Sequence, residues 1–351
     1  MSMSLPHQYI DRLSGTVKNE ALFGDRLVRM VYSPLREKAP WLFRALTGAR
    51  MSSLLAWFNY DAALASRVLG NEGFLKTCGV DFEECLDAPA DLDTARKVFE
   101  RKILYWQCRP LAEGRGGAVV SPADARVLVG SFADQQRLFL KEKFFSFDEL
   151  LGDRPSWRQI FAGGDFAVFR LTPDKYHYNH VPVSGQVVDI YDIDGDYHSC
   201  NPSAIVRMVT PFSKNRRVVT IIDSDVPGGS GVGKVAMLEV VALMIGEIVQ
   251  CYSEQRYDNP QPVQTGMFLR AGSPKSLYRP GSSTDVLIFE KGRIDFADDL
   301  QCNQERCGVA SRFAAGFGKP LVETEVQVRS LIAKGKSRGN SFTTKDTKST
   351  K

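Results

Sequence analysis

An α+β fold, with a helical N-terminal region, a β-rich antiparallel core and a short C-terminal helix, is predicted by three changes of pattern along the 351 residues. Apolar residues recur at helical spacing up to about residue 105. From about residue 110, short β-like runs alternate with turn residues. Residues 322–334 then return to a helix-like pattern before a polar end.

The first part contains Trp41, Leu42, Ala45, Leu46 and Ala49 after Pro40, which suits a first helical turn. Met51, Leu54, Leu55, Trp57 and Phe58 continue it, with Arg26, Arg29, Arg36, Lys38, Arg44 and Arg50 around them. Two readings stay open: a helical layer with a solvated basic face, and an interfacial helix on an anionic membrane. The second part holds β-like runs at 118–120, 126–129, 166–171, 186–191, 217–222 and 285–289, separated by Gly, Pro, Asn and Asp clusters. The last residues, from about 335, are Ser, Thr and Lys with almost no apolar residue, and predict a disordered tail. The chain thus divides into 1–105, 106–332 and 333–351.

Composition excludes several classes. A hydrophobic content of 43% supports one large core, and a net charge of +4 without a basic stripe does not suggest nucleic acid. The seven cysteines are scattered and form no CxxC pair, which points away from a zinc ribbon or a disulfide framework and toward a reducing compartment. The opening residues lack a signal-peptide pattern, and no apolar run reaches the roughly 18 residues of a spanning helix.

Four motifs could carry chemistry. Residues 228–235 nearly match a P-loop, but Val235 stands where a Mg²⁺-holding Ser or Thr is required, so a glycine-rich turn is expected. Two of the four histidines, His177 and His180, share the segment Tyr176-His177-Tyr178-Asn179-His180-Val181-Pro182-Val183. No His-Glu-x-x-His helix accompanies them, so by spacing alone they read as core or turn residues. Ser121-Pro122-Ala123-Asp124-Ala125-Arg126 reads as a turn between strands, and Gly281-Ser282-Ser283-Thr284 as a turn entering the strand 285–289.

Taken in chain order, the last three segments resemble the phosphatidylserine decarboxylase family, which carries Ser-Pro-Ala-Asp-Gly-Arg, then Tyr-His-x-x-His followed by Pro-Val, then Gly-Ser-Thr before an apolar strand. The echoes Glu149-Leu150-Leu151-Gly152, His198-Ser199-Cys200-Asn201-Pro202 and Phe289-Glu290-Lys291-Gly292 extend the resemblance over about residues 8–332. It implies a self-derived, covalent pyruvoyl cofactor with no metal or nucleotide. Asp124 would orient His180, and His180 would activate the processing serine, as in a protease triad. His177 would be the general acid of decarboxylation. Strand register assigns Ser283 as that serine and the Ser282–Ser283 bond as the cut. The alternative alignment cuts Gly281–Ser282 and makes Ser282 the nucleophile.

The resemblance further implies phosphatidylserine as substrate and an anionic membrane surface as partner, with a peripheral, cytoplasmic-face location. The two chains cut from one precursor would stay associated, and a homo-oligomer is allowed. A soluble amino-acid substrate and an uncleaved lipid-binding role are the alternatives. Three departures stand out: Ala125 replaces a family glycine, Val241-Ala242 stands for Gly-Ala, and about ten residues around 270–276 look inserted.

Overall fold

The computed structural model describes residues 6–22, 80–88, 91–92, 94–112, 117–133, 144–207, 211–242, 247–279 and 283–336. The expected basic, Trp-containing helices at 41–58, the polar tail beyond 336, and Gly281 and Ser282 lie outside these residues.

A ten-stranded sheet dominates. From one edge to the other it runs β11 (Phe268–Leu269), β7 (Gly185–Ile193), β8 (Arg217–Asp223), β9 (Lys234–Val240), β13 (Ser283–Phe289), β5 (Asp165–Leu171), β4 (Ala125–Ser131), β15 (Thr324–Val326), β1 (Gln8–Asp11) and β2 (Val17–Asn19). All neighbours are antiparallel except β1 with β15. Two three-stranded sheets accompany it. One orders β10 (Glu247–Gln250), β12 (Pro274–Arg279) and β6 (Tyr178–His180); the other orders β14 (Ile294–Phe296), β16 (Leu331–Gly335) and β3 (Ala118–Val120). All six β-like runs read from the sequence are strands, so the β-rich core stands.

Every residue of β13 is buried, which explains why the apolar run 286–289 does not alternate with polar residues: both faces of a central strand are covered. Val168, Val219, Leu238 and Ile288 belong to the same core, with an aromatic layer of Phe144, Phe212 and Phe313 packed edge to face or stacked.

Two expectations are corrected. Residues 322–334 form β15 and β16, not a helix. Between Thr324 and Val328 buried and half-buried residues alternate, the two-residue period of a strand, and the β-branched residues there suit it. The opening residues are likewise strands where described, since β1 and β2 complete the large sheet. Helical structure before residue 109 is confined, among the described residues, to short segments such as α1 (Ala95–Phe99) and α2 (Tyr105–Cys108). The near-P-loop is the turn between β8 and β9, so a strand follows the lysine where a nucleotide site needs a helix.

A buried ionic cluster ties the N-terminal hairpin to the sheet. Arg170 of β5 donates to Glu323 (2.9 and 2.5 Å) and to Glu20 (2.9 and 2.7 Å). Arg126 of β4 pairs with Glu20 at 2.5 Å. The Arg312 N–H donates to His7 Nδ1 (3.1 Å), so the other nitrogen, Nε2, carries the proton and donates to Glu323 (2.9 Å). Burial works against the carboxylates of Glu20 and Glu323, yet the arginines and His7 bring both down to about 2. His7, Glu20 and Glu323 could together face a metal ion, but the guanidinium of Arg170 already occupies both carboxylates.

Candidate active site

Register fixes two faces at the start of β13. Thr284 lies directly opposite Arg170, which lies opposite Arg126, so these three share one face with the ionic cluster. Ser283 and Asp285 point to the other face. There Asp285 stands opposite Phe169 on one side and Glu239 on the other.

Polar groups on this face and just beside it are buried without hydrogen-bond partners among the described residues. They are both ring nitrogens of His177, Asn179 Oδ1, Ser283 Oγ and Asp285 Oδ2; Thr284 Oγ1, across the strand, is the same. Such groups cost free energy and call for a reason. Tyr278 of β12 joins the two stretches. Its backbone N–H donates to the His177 carbonyl (3.2 Å), and its hydroxyl lies 2.7 Å from Asp285 Oδ1 and 3.2 Å from the Thr284 carbonyl.

His177 stacks on Phe99 of α1, ring centroids 3.5 Å apart. Its ring comes near the Lys175 backbone without ordinary hydrogen-bond geometry. Burial, reinforced by Arg101, pushes its pKa well below that of a free imidazole. Two residues on, Asn179 reaches Glu239, which forms with Lys275 an ion pair at 2.8 Å with no exposed surface. Glu239 is saturated, accepting also from Gln250 (2.8 Å), Asn179 (3.4 Å) and Ser276.

Strand alternation sends His180 the other way from Asn179, into an aromatic pocket of Tyr105 and Tyr176. The Gly272 carbonyl, 2.8 Å away, can only accept, so Nδ1 carries the proton. The Nε2 lone pair then faces the Tyr176 hydroxyl at 2.9 Å, and Tyr176 meets Tyr257 at 2.7 Å. Burial lowers the His180 pKa to about 3, so the ring is neutral and able to accept a proton at ordinary pH.

Asp124, which the family resemblance has orienting His180, makes no hydrogen bond with it. Asp124 accepts from Arg109 (3.0, 3.1 and 3.3 Å), itself held by Glu84, and from the Val328 N–H (2.7 Å). It remains close, because the His180 N–H donates to Pro122 in the same turn (2.7 Å), and its charge favours protonation of the ring. The structure therefore places Asp124 in the turn beside His180, and Tyr278 links the His177 backbone to Thr284 and Asp285 of β13. No His180–Ser283 hydrogen bond exists among the described residues.

Residues 96–315 match the family model described as phosphatidylserine decarboxylase. The chain belongs to this family. It is 30% identical over 83% of its length to the phosphatidylserine decarboxylase proenzyme of Chlamydia trachomatis, covering 90% of that protein. It is 27% identical to the proenzyme of Ruminiclostridium cellulolyticum (85% and 91% covered) and 28% to that of Chlamydia felis (90% and 99% covered). Within this member of the decarboxylase family, the residues around 270–276 that look inserted supply Gly272, the partner of His180, and Lys275. Gly272 has φ of +77°, and a Cβ there would lie 2.5 Å from Leu111, so the carbonyl that fixes His180 requires glycine. Motif reading passed over Gly272, Tyr278 and Asp285. Only Asp285 left a signal, as a carboxylate directly before the apolar run 286–289.

Proposed function

We infer that this chain is a self-cleaving, pyruvoyl-dependent phosphatidylserine decarboxylase that releases CO₂ and phosphatidylethanolamine. The observation that carries this reading is the pair of buried polar groups without partners among the described residues, the His177 ring and the Ser283 hydroxyl that opens β13, in a chain of this family. Ser283 suits conversion: its hydroxyl has no partner among the described residues, so losing it breaks no hydrogen bond there.

In the cleavage, Nε2 of His180 takes the hydroxyl proton of Ser283, and the oxygen attacks the carbonyl of Ser282, so that an ester forms as the Ser282–Ser283 amide breaks. Elimination then releases Ser282 as a carboxylate that keeps the ester oxygen, and water displaces the nitrogen of residue 283 as ammonia to leave the ketone. The Gly272 carbonyl holds the tautomer that puts the lone pair on Nε2, a task that a carboxylate performs in a protease triad. Asp124 acts through its charge, stabilising the imidazolium as it forms. The resulting pyruvoyl group supplies a ketone conjugated to an amide, an electron sink for decarboxylation. His177 then delivers a proton to carbon. Burial keeps this ring neutral in the uncleaved fold, so the acid role needs an anionic headgroup nearby to raise its pKa. The basic, Trp-containing stretch before residue 60 favours a lipid substrate at an anionic surface; among the described residues no helix is long and apolar enough to cross a membrane.

Intact mass spectrometry under denaturing conditions, paired with CO₂ release from phosphatidylserine vesicles and from free serine, tests the reading. Two chains, the smaller opening with a pyruvoyl group at 283, and release from vesicles are expected. A single uncut chain would overturn it. Release from free serine alone would move the substrate to a soluble amino acid.

A further inference from the structure

Asp285 is a carboxyl group that the motifs leave without a task. It has no exposed surface, and it shares its strand face with Ser283 two residues away, a separation of about 7 Å along a strand. Its Oδ1 accepts from Tyr278, while Oδ2 has no partner among the described residues. The titratable groups around it are few. From β9 comes Glu239, from β12 come Lys275 and Tyr278, and β5 presents the apolar Phe169.

The charges can be counted. Two carboxyl groups stand opposite each other on adjacent strands, and a single cation serves them. Lys275 is spent on Glu239, with Gln250 as its other partner. Asp285 is left with no cation, next to a like charge, in a dry site, and a carboxyl group in that position keeps its proton. Burial and Glu239 raise its pKa well above the usual carboxylate range. With Oδ1 accepting from Tyr278, the proton sits on Oδ2, the oxygen without a partner.

We propose that Asp285 is a substrate-binding residue of the decarboxylation site, whose Oδ2–H donates a hydrogen bond to the carboxylate that the substrate is about to lose. This rests on the decarboxylase reading above. A phosphoserine headgroup condensed at position 283 carries its carboxylate one atom from the amine, within reach of the next residue on the same face. A neutral acid suits this place better than a lysine or arginine. It holds the carboxylate before reaction without the full ionic attraction that would oppose its departure as CO₂. Glu239, fixed in place by Lys275, is then a positioning residue whose charge favours the protonated form of Asp285.

The test uses the processed enzyme and two soluble headgroup analogues with a hydroxyl in place of the amine, so that neither condenses. One keeps the carboxylate and the other lacks it. Binding to wild type is expected to favour the carboxylate analogue by roughly tenfold or more, as suits a hydrogen bond to a charged group. Asp285→Asn keeps a donor and should retain most of this preference, whereas Asp285→Val should lose it. The wild-type preference should also decline at alkaline pH as Asp285 ionises, while that of Asp285→Asn stays flat. A merely structural Asp285 would leave the preference unchanged in Asp285→Val, or unchanged with pH, and either result overturns the proposal. Should Asp285→Val fail to fold, the pH comparison of wild type with Asp285→Asn decides alone. Intact mass of each protein separates this failure from that of the parent reading, because only the latter leaves wild type uncut.

Discussion

Two buried polar regions meet at Thr284 and differ in how they are satisfied. On one face of β13, Arg170, Arg126, Glu20, Glu323 and His7 meet charge with opposite charge. On the other, and just beside it, His177, Ser283 and Asp285 hold polar atoms with no partner among the described residues. Both are equally dry, so burial alone does not separate scaffold from site. Pairing does. A paired cluster resists change because removing one member strands another. An unpaired group has free lone pairs or protons for a reaction, and the fold bears its cost.

The sharpest way to break this contrast is to remove members of each region and read cleavage and stability separately. Ser283→Ala and His180→Ala should both remain single, folded chains, with processing abolished on a denaturing gel. Ser282→Ala should still cleave if Ser283 is the nucleophile. Arg170→Met should instead destabilise the fold by roughly 3–5 kcal/mol in urea unfolding, because Glu20 and Glu323 lose the guanidinium they share. Uncut but stable Arg170→Met protein would erase the distinction between the two faces.

Acid should dismantle the regions in a fixed order. His177 and His180 are neutral in the fold but take protons in the unfolded chain below about pH 6.5. The unfolded chain then binds more protons, and stability falls as pH drops from 6.5 toward about 3, where His180 takes its own. Each histidine contributes a slope of about 1.4 kcal/mol per pH unit. Glu20 and Glu323, held near 2, begin to cost stability only below about 4.5. Between pH 6 and 5, Asp285 is protonated in the fold but ionised in the unfolded chain, and so offsets the slope of one histidine. His177→Phe should therefore leave stability nearly flat over that range. It should also raise stability at pH 7 by about 1 kcal/mol, since an unsatisfied ring becomes an apolar one on Phe99, while decarboxylation is lost and cleavage persists.

The strands and the ordered motifs were legible because each rests on local chemistry. Val218, Val219, Ile221 and Ile222 must form a buried strand whatever surrounds them. The helix expected at 322–334 was misread because Leu331, Ile332 and Ala333 fit either period over so short a run, and only pairing with β3 and β14 decides between them. The roles of Gly272 and Glu239 were illegible for another reason. Gly272 holds His180 from 92 residues away, and Glu239 faces Asp285 only through the register of β9 and β13. Long-range geometry of this kind leaves no mark in spacing.

The smallest effect concerns the one link that blurs the contrast. His180 belongs to the chemistry, yet both its nitrogens are paired. The Gly272 bond serves the base by fixing its tautomer, but the Tyr176 hydroxyl occupies the lone pair that must receive the serine proton. That bond has to be exchanged before attack, at a net cost of about 1 kcal/mol. Tyr176→Phe removes the competitor and keeps the ring beside His180, so cleavage followed by gel over time should quicken by roughly fivefold. Slower cleavage would mean that the hydroxyl itself carries the proton between Ser283 and His180, and the Tyr176–Tyr257 pair would then belong to the unpaired, reactive region and not to the scaffold.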